Sequence, residues 1–349
     1  MKIRTAQCNG TMKKRRTLWQ LLTIFSVTFF GLIFFYFTTG PLPPTGPTGL
    51  PPYVTQSASA NFSYPMNLLM ANDYNLLLNY TFNFSLLNLG CDNDTFLLVL
   101  VHSALSNYKK RAAIRKTWGN YTGNIKVYFL MGLSEKSGEV QQDLYEEYLK
   151  YQDIIQGTFL DTYRNLTLKH IMTLKYAIYH CPRAKYILKT DDDVFVNMPL
   201  MLNFLYNLSP LEVGGLLFCN VKKDVEAIRS YRSKWRVSFN EYPFRNYPNY
   251  CPGWVILYSP DVAFKLYKSA QIDPGSFFWI DDVYVTGILA ERNNITHTDN
   301  GNSILSRELI NNVSSTKNDF LFGPPNMDPE EIEHLWLKVV HNVPNRMMD

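Results

Sequence analysis

At 349 residues the chain is long enough for one sizeable folded domain with an appendage. Its formal net charge of +4 is owed to residues 1–17, where Lys2, Arg4, Lys13, Lys14, Arg15 and Arg16 stand without an acid. The rest is near neutral or slightly acidic and carries no nucleic-acid-binding signature, which excludes that class of partner.

Leu18 to Phe37 is uncharged and rich in Leu, Ile and Phe. As a helix it measures about 30 Å, enough to cross a bilayer. A cleaved signal peptide has a shorter apolar region and ends in small residues; this run closes on Phe35-Tyr36-Phe37. The sequence therefore predicts an uncleaved anchor with a cytoplasmic tail at 1–17. The rest of the chain lies in the secretory lumen, giving a single-pass type II membrane topology. The Pro- and Gly-rich stretch from Thr39 to Pro52 cannot form a packed core and reads as a stem. The stem is expected over 38–92, with a short helix near Met66 to Leu78. Asn-x-Ser/Thr glycosylation sites stand at Asn61, Asn79, Asn83, Asn93, Asn120, Asn165, Asn207, Asn294 and Asn312, all on the proposed lumenal side. Cys8 falls on the cytoplasmic side. Cys91, Cys181, Cys219 and Cys251 are an even number in an oxidising compartment and allow three pairings, among which the sequence does not choose.

The catalytic domain is expected over 93–349. Phe96 to Val101 is a continuous apolar run, as in a strand buried on both faces. Arg111 to Trp118 predicts a helix, Ile125 to Met131 a second strand, and Glu139 to Lys150 an amphipathic helix. Ile154-Ile155 starts a third strand, and Asn165 to Tyr179 puts Leu166, Ile171, Leu174 and Ile178 on one helical face. Ala184 to Leu188 is a buried strand that runs into Asp191-Asp192-Asp193. Strands alternating with helices predict an α/β domain with a mainly parallel central sheet, whose ligands bind at the carboxyl ends of the strands. Three carboxylates at such an end repel one another unless a cation holds them, and hard oxygen ligands suit Mg²⁺ or Mn²⁺ shared with a substrate's phosphates. Further on, Pro199 to Leu208 reads as a helix, Gly214 to Phe218 and Trp254 to Tyr258 as strands, and 220–250 as a basic, aromatic-rich loop. That loop either flanks an acceptor or a diphosphate or is plain solvated surface. A second acidic site, Asp281-Asp282, follows a Phe277-Phe278-Trp279 wall and precedes a helix at Val285 to Ala290. Acids at a helix start serve as caps, but a partly desolvated carboxylate also has a raised pKa and serves as a general base.

Several of these stretches resemble one family. Arg111-Ala112-Ala113-Ile114-Arg115-Lys116-Thr117-Trp118-Gly119 is similar to the Arg-x-x-Ile-Arg-x-Thr-Trp-Gly motif of the β-1,3-glycosyltransferases, glycosyltransferase family 31. Asp161 to Lys169, Cys181 to Asn197 and Asp281 to Tyr284 resemble that family's later blocks, in order and at similar spacing. The resemblance implies a GT-A-type fold and an inverting, Golgi-located hexosyltransferase. Such an enzyme moves galactose, or alternatively N-acetylglucosamine, from a UDP-sugar to the 3-hydroxyl of an acceptor glycan on protein or lipid. It further implies Mn²⁺ or another divalent cation on Asp193 and Asp191, ribose contact by Asp191 and Asp192, and Asp282 as the base, with Asp281 and Trp279 at the second acidic or acceptor site. Arg111, Arg115 and Lys169 are candidate nucleotide contacts, and homo- or hetero-oligomers with other transferases are compatible with it. The chain departs from the pattern twice. Val255 stands where the family has a second glycine after Gly253, and Pro325 stands where members often carry a metal-binding His. His297, His334 and His341 are the candidates to replace it. A catalytically silent glycan-binding or chaperone protein is the alternative from another class.

Overall fold

The computed structural model describes residues 62–88, 90–134, 138–209, 214–272, 277–301, 303–312 and 320–341. The tail, the anchor at 18–37, the Pro-rich stem and Asn61 lie outside them. Among the described residues no helix is long and apolar enough to cross a membrane.

The sheet is organised by β4 (Leu97–His102), six consecutive buried residues that fit only a strand covered on both faces. It pairs in parallel with β5 (Ile125–Leu133) on one side and with β7 (Tyr186–Asp191) on the other. β6 (Ile154–Leu160) extends the parallel set beyond β5. The flanks bring in antiparallel pairs. β3 (Phe84–Leu86) runs antiparallel to β6, and β9 (Val255–Tyr258) runs antiparallel to both β7 and β8 (Leu217–Cys219). With β10 (Thr298–Asp299) the order is β10-β8-β9-β7-β4-β5-β6-β3, a mixed sheet around a parallel centre. The expected mainly parallel sheet thus holds for β4 to β7, with one further short parallel pair, β10 on β8, at the edge.

Helices cover both faces. On one, α3 (Leu166–His180) and α5 (Pro260–Ile272) pack on Leu98, Leu100, Ile187 and Ile256. On the other, α1 (Tyr108–Lys116), α4 (Met198–Tyr206) and α7 (Pro329–His341) pack on Val99, Val101, Leu188 and Leu257. Odd and even positions of each strand go to opposite cores, as the period of two requires. α2 (Gly138–Tyr151) lies between β5 and β6 in sequence. Chain order departs to both sides of β4, and that reversal leaves a crevice where the strands end. His102 and Asp191 are register partners there.

From Phe62 on, the part assigned to a stem belongs to the domain. Instead of a helix it forms two 3₁₀ turns, Met66–Leu68 and Asp73–Asn75, and a small hairpin of β1 (Leu76–Leu77) and β2 (Tyr80–Thr81) before β3 joins the main sheet. No helical period was present in this Asn-rich stretch; polar anchors hold it instead. Lys175 of α3, wholly buried, donates to the carbonyls of Asp73 (2.6 Å) and Leu76 (2.8 Å). The Asp73 carboxylate accepts from Tyr267, Tyr179 and Gln271 at 2.6–2.8 Å. A Cys91–Cys181 disulfide closes this seam, and Cys219–Cys251 ties β8 to the segment before β9. By the chain-entropy estimate each contributes about 4 kcal/mol.

Of the glycosylation sequons, Asn79, Asn83, Asn93, Asn120, Asn207 and Asn294 are exposed. Asn165 is half-buried and donates its amide to the Leu160 carbonyl at 2.9 Å. The Asn312 side chain lies outside the described residues.

Candidate active site

The carboxyl ends of β4 and β7 open into a cleft of about 650 Å³ whose lining includes Asp191, Asp192, Asp193, Asp281 and Asp282. The two acidic stretches, distant in sequence, meet there. β7 delivers the first. Lys189, only 2% exposed, donates to Asp191 Oδ1 at 2.8 Å and to the Gly253 carbonyl. Burial pushes the Asp191 carboxyl up, and the Lys189 charge opposes it. Asp192 is buried and fully engaged, accepting from Ser103 Oγ (2.7 Å) and Asn107 Nδ2 (2.8 Å). Asp193 faces the cleft with its side chain 21% exposed. Lys110 Nζ sits between the last two, 3.3 Å from Asp192 and 3.0 Å from Asp193. Burial acts against the Lys110 charge, but the two carboxylates outweigh it and hold its pKa raised.

The second stretch opens a helix whose first part is a π segment (Val283–Ile288) continuing into α6 (Leu289–Arg292). Thr167 Oγ1 donates to the Phe278 carbonyl at 2.7 Å and holds the entry of this helix on α3. Asp282 accepts from the backbone amides of Val283 (2.8 Å) and Gly253 (3.2 Å). Burial, and next the charge of Asp281, push its carboxyl up to about 7, against those two amides. For Asp281 burial also raises the pKa, but the hydrogen bond from His170 at 2.9 Å overcomes it and the net shift is downward. Two adjacent carboxyls thus have pKa values driven apart, the arrangement that separates a fixed charge from a proton acceptor.

Trp279, expected at the acceptor site, is 6% exposed and backs the wall instead of lining the cleft. Trp235 covers it, rings 6.3 Å apart and 11° from parallel, and Tyr163 packs on Trp235 at 4.7 Å. Tyr163, Lys234 and Trp235 are the cleft-lining surface, so of the two readings of the 220–250 loop the one that flanks the site holds for Lys234 and Trp235.

The basic candidates fare differently. Arg111 is 1% exposed and commits its guanidinium to Glu147 (2.6 and 2.8 Å), Ser103 Oγ, and the carbonyls of Ala104 and Leu105. It braces the β4–α1 loop from behind and has no donor to offer a nucleotide. Arg115 pairs with Asp153 (2.7 Å) and Glu147 (2.7 Å), away from the cleft lining. Lys169 does line the cleft, but its ammonium is held by Asp161 (2.7 Å) and the Ser103 carbonyl (2.8 Å). Arg111 and Arg115 thus act as braces behind the cleft, while Lys169 lines it with its ammonium already paired. Sequence reasoning missed Lys110 and Lys189. Each left a signal: Lys109, Lys110 and Arg111 crowd the first turn of a helix, where the dipole disfavours cations, and a lysine inside an apolar strand needs a partner.

Asp193 and Asp191 present hard carboxylate oxygens at the cleft of the type that a divalent cation takes, although Lys110 and Lys189 already pair with them. Among the described residues no three His, Cys, Asp or Glu side chains converge on one point. Pro325 and Asn326 line the cleft where a histidine was sought. His297 Nε2 donates to the Thr286 carbonyl (2.6 Å), outside the cleft lining; His334 is exposed on α7, and the His341 side chain lies outside the described residues. Val255 is buried in β9 opposite Thr190.

The family model described as Galactosyltransferase matches residues 109–301, from α1 through β10, and so takes in both acidic stretches. The chain belongs to this family, among the β-1,3-glycosyltransferases. Among curated proteins it is 39% identical over 211 residues to lactosylceramide 1,3-N-acetyl-beta-D-glucosaminyltransferase B of Xenopus laevis, covering 58% of this chain and 55% of that one. It is 36% identical over 215 residues to the Homo sapiens lactosylceramide 1,3-N-acetyl-beta-D-glucosaminyltransferase, covering 59% and 56%. The chain thus spans about half the length of these relatives. Among solved structures, mouse xyloside xylosyltransferase 1 aligns with a TM-score of 0.34 at 12% identity, covering 67% of this chain and 98% of that one, a likeness too low to argue from.

Proposed function

We propose that the chain is an inverting β-1,3-hexosyltransferase of GT-A type that uses a UDP-sugar, with N-acetylglucosamine as the sugar and a galactose-ended glycan as acceptor. The observation that carries it is the cleft itself. An aspartate group partly neutralised by two lysines faces a separate, half-buried carboxyl whose pKa is pushed up to about 7. The sugar and acceptor rest on the relatives at 36–39% identity, whose names give N-acetylglucosamine and lactosylceramide. Galactose, which the family's name favours, is the second reading.

Asp193 and Asp191 would hold a divalent cation, which supplies positive charge at the leaving diphosphate. Asp192 is fixed by Ser103 and Asn107 and keeps the Lys110 ammonium in place at the donor end. Tyr163 and Trp235, their rings tilted against each other, give the acceptor an aromatic wall, with Lys234 at its side. The Asp282 carboxylate takes the proton from the acceptor's 3-hydroxyl. That oxygen forms its bond to the anomeric carbon on the face opposite UDP, while the bond to the diphosphate oxygen breaks and its electron pair leaves with UDP. The two amides that orient Asp282 hold the carboxylate toward the cleft through its own geometry. The paired cysteines and exposed sequons support a lumenal, Golgi-type location with an N-terminal anchor.

The test is UDP release by the full chain with Mn²⁺, using UDP-N-acetylglucosamine and UDP-galactose, each with and without lactose. Lactose-dependent release from the first donor is the expected result. Release from UDP-galactose alone moves the reading to galactose. Metal-dependent UDP binding without turnover of any donor would instead mark a silent glycan-binding member.

A further inference from the structure

Behind Asp281 stands a row of polar groups that the transfer chemistry above leaves unused. Tyr258 ends β9, His170 lies in the second turn of α3, and Asp281 opens the helix that carries Asp282. Tyr258 Oη is 2.7 Å from His170 Nε2, and His170 Nδ1 is 2.9 Å from Asp281 Oδ2. Tyr258 and His170 are wholly buried and Asp281 is 6% exposed. An unpaired polar group is costly in such a place, so the row is either fully satisfied or strongly destabilising. Burial keeps the imidazole neutral and the phenol protonated. With an ionised Asp281, one arrangement satisfies all three: Tyr258 O–H donates to Nε2, and Nδ1–H donates to the carboxylate.

We propose that Tyr258 and His170 are positioning residues for the base: their donor row fixes Asp281 as a permanent anion beside Asp282, so that Asp282 alone exchanges the acceptor's proton. This rests on the transferase reading above. Without the row, two adjacent carboxyls in one pocket would share a proton, and neither would be a defined base. The row assigns the charge to the inner member and the proton exchange to the member at the cleft.

Other charged and titratable groups face the pair from every side. Lys189 and Asp191 approach from β7, Tyr163 from ahead of α3, and Tyr247 and Tyr250 from the loop before β9. His102 packs edge-on against His170 with ring centres 5.8 Å apart, and Lys169 and Lys189 act on His102. His102 is itself engaged with Thr173 Oγ1 at 2.7 Å. The test must therefore separate His170 from this background, which a donor-restoring variant does.

The experiment measures kcat and KM against pH for the wild-type full chain, His170→Leu, His170→Asn and Tyr258→Phe, with thermal unfolding of each. His170→Leu should lower kcat about tenfold or more, leave KM for the UDP-sugar within about twofold, and move the acidic limb of kcat down by about one pH unit. The direction follows because Asp281 then takes up a proton and no longer repels charge on Asp282. His170→Asn places an amide N–H near the Nδ1 position and should return the limb toward wild type. Tyr258→Phe, which removes one hydroxyl, should move the limb the same way by less. A packing role alone would lower kcat and unfolding temperature with the limb unmoved, and that result overturns the proposal. If His170→Leu does not fold, Tyr258→Phe decides: an unmoved limb overturns it. Wild-type chain that transfers no sugar from any donor removes the transferase reading and this inference with it. Active wild-type chain with an unmoved limb in the variants removes this inference alone.

Discussion

The cleft holds two acidic groups that solve opposite problems. Asp191, Asp192 and Asp193 end a strand and are matched by ammonium groups from Lys189 and Lys110. Asp281 and Asp282 start a helix and are served mainly by neutral donors: an imidazole, and the amides of Gly253 and Val283. Carboxylates at the cleft paired with ammonium groups present hard oxygens at the donor end and suit binding of a cation with its diphosphate, even though burial pushes the Asp191 carboxyl up against Lys189. A carboxylate kept from cations in a buried place holds a proton up to about pH 7 and suits proton exchange. Clustered acids therefore do not define a single role; the sign of their immediate partners does.

The contrast is broken most directly at Asp282. Asp282→Asn should lower kcat by about 10²–10⁴-fold while calorimetric UDP affinity stays unchanged; unaltered transfer would remove the residue from the chemistry. Asp193→Ala should act on the other group, weakening metal-dependent UDP affinity by about 10–100-fold, and an unchanged affinity would end its role as a ligand. The wild-type pH profile sharpens the difference further. As pH falls through about 7 the base becomes protonated, so kcat should drop about tenfold per unit below it. UDP affinity should not share that limb, because binding of the nucleotide needs no proton acceptor. The smallest effect is expected at Lys110. Lys110→Met removes a cation from between two carboxylates and should raise Mn²⁺ affinity, read by electron paramagnetic resonance without nucleotide, by about three- to tenfold. The acidic limb of kcat should stay where it was.

Much of this architecture was legible in the chain because its signals are local. The apolar runs at 96–101 and 125–131 and the helical face of Leu166, Ile171, Leu174 and Ile178 state their own periods; the runs became β4 and β5, and Ile171, Leu174 and Ile178 are buried on α3 while Leu166 is half-buried at the cleft. The two acidic stretches stood out because charge follows apolar residues without a polar lead-in. What stayed hidden depends on partners far away in sequence. Nothing near Arg111 announces that Glu147 and three loop oxygens will consume its donors, so a motif arginine reads as a ligand contact when it is a brace. His170 is a single histidine on a helix, and its meaning arises only when Asp281, 111 residues later, arrives beside it. Trp279 was correctly placed near the site but one layer too far forward, since no sequence rule says that Trp235 will stack over it. The segment 62–88 lacked a period because hydrogen bonds to buried side chains, more than an amphipathic face, hold it.

That segment also sets where the molecule can be cut. A recombinant enzyme begun at residue 93, the domain start suggested by the apolar pattern, would leave Lys175 with an uncompensated charge in a wet seam and Tyr179, Tyr267 and Gln271 without Asp73. It would also leave Cys181 a free thiol and expose one edge of β6 where β3 had covered it. Such a product should aggregate. For the same reason, a protease that releases the domain from any preceding stem without harming it has to cleave before Phe62, from which point the chain is packed into the fold.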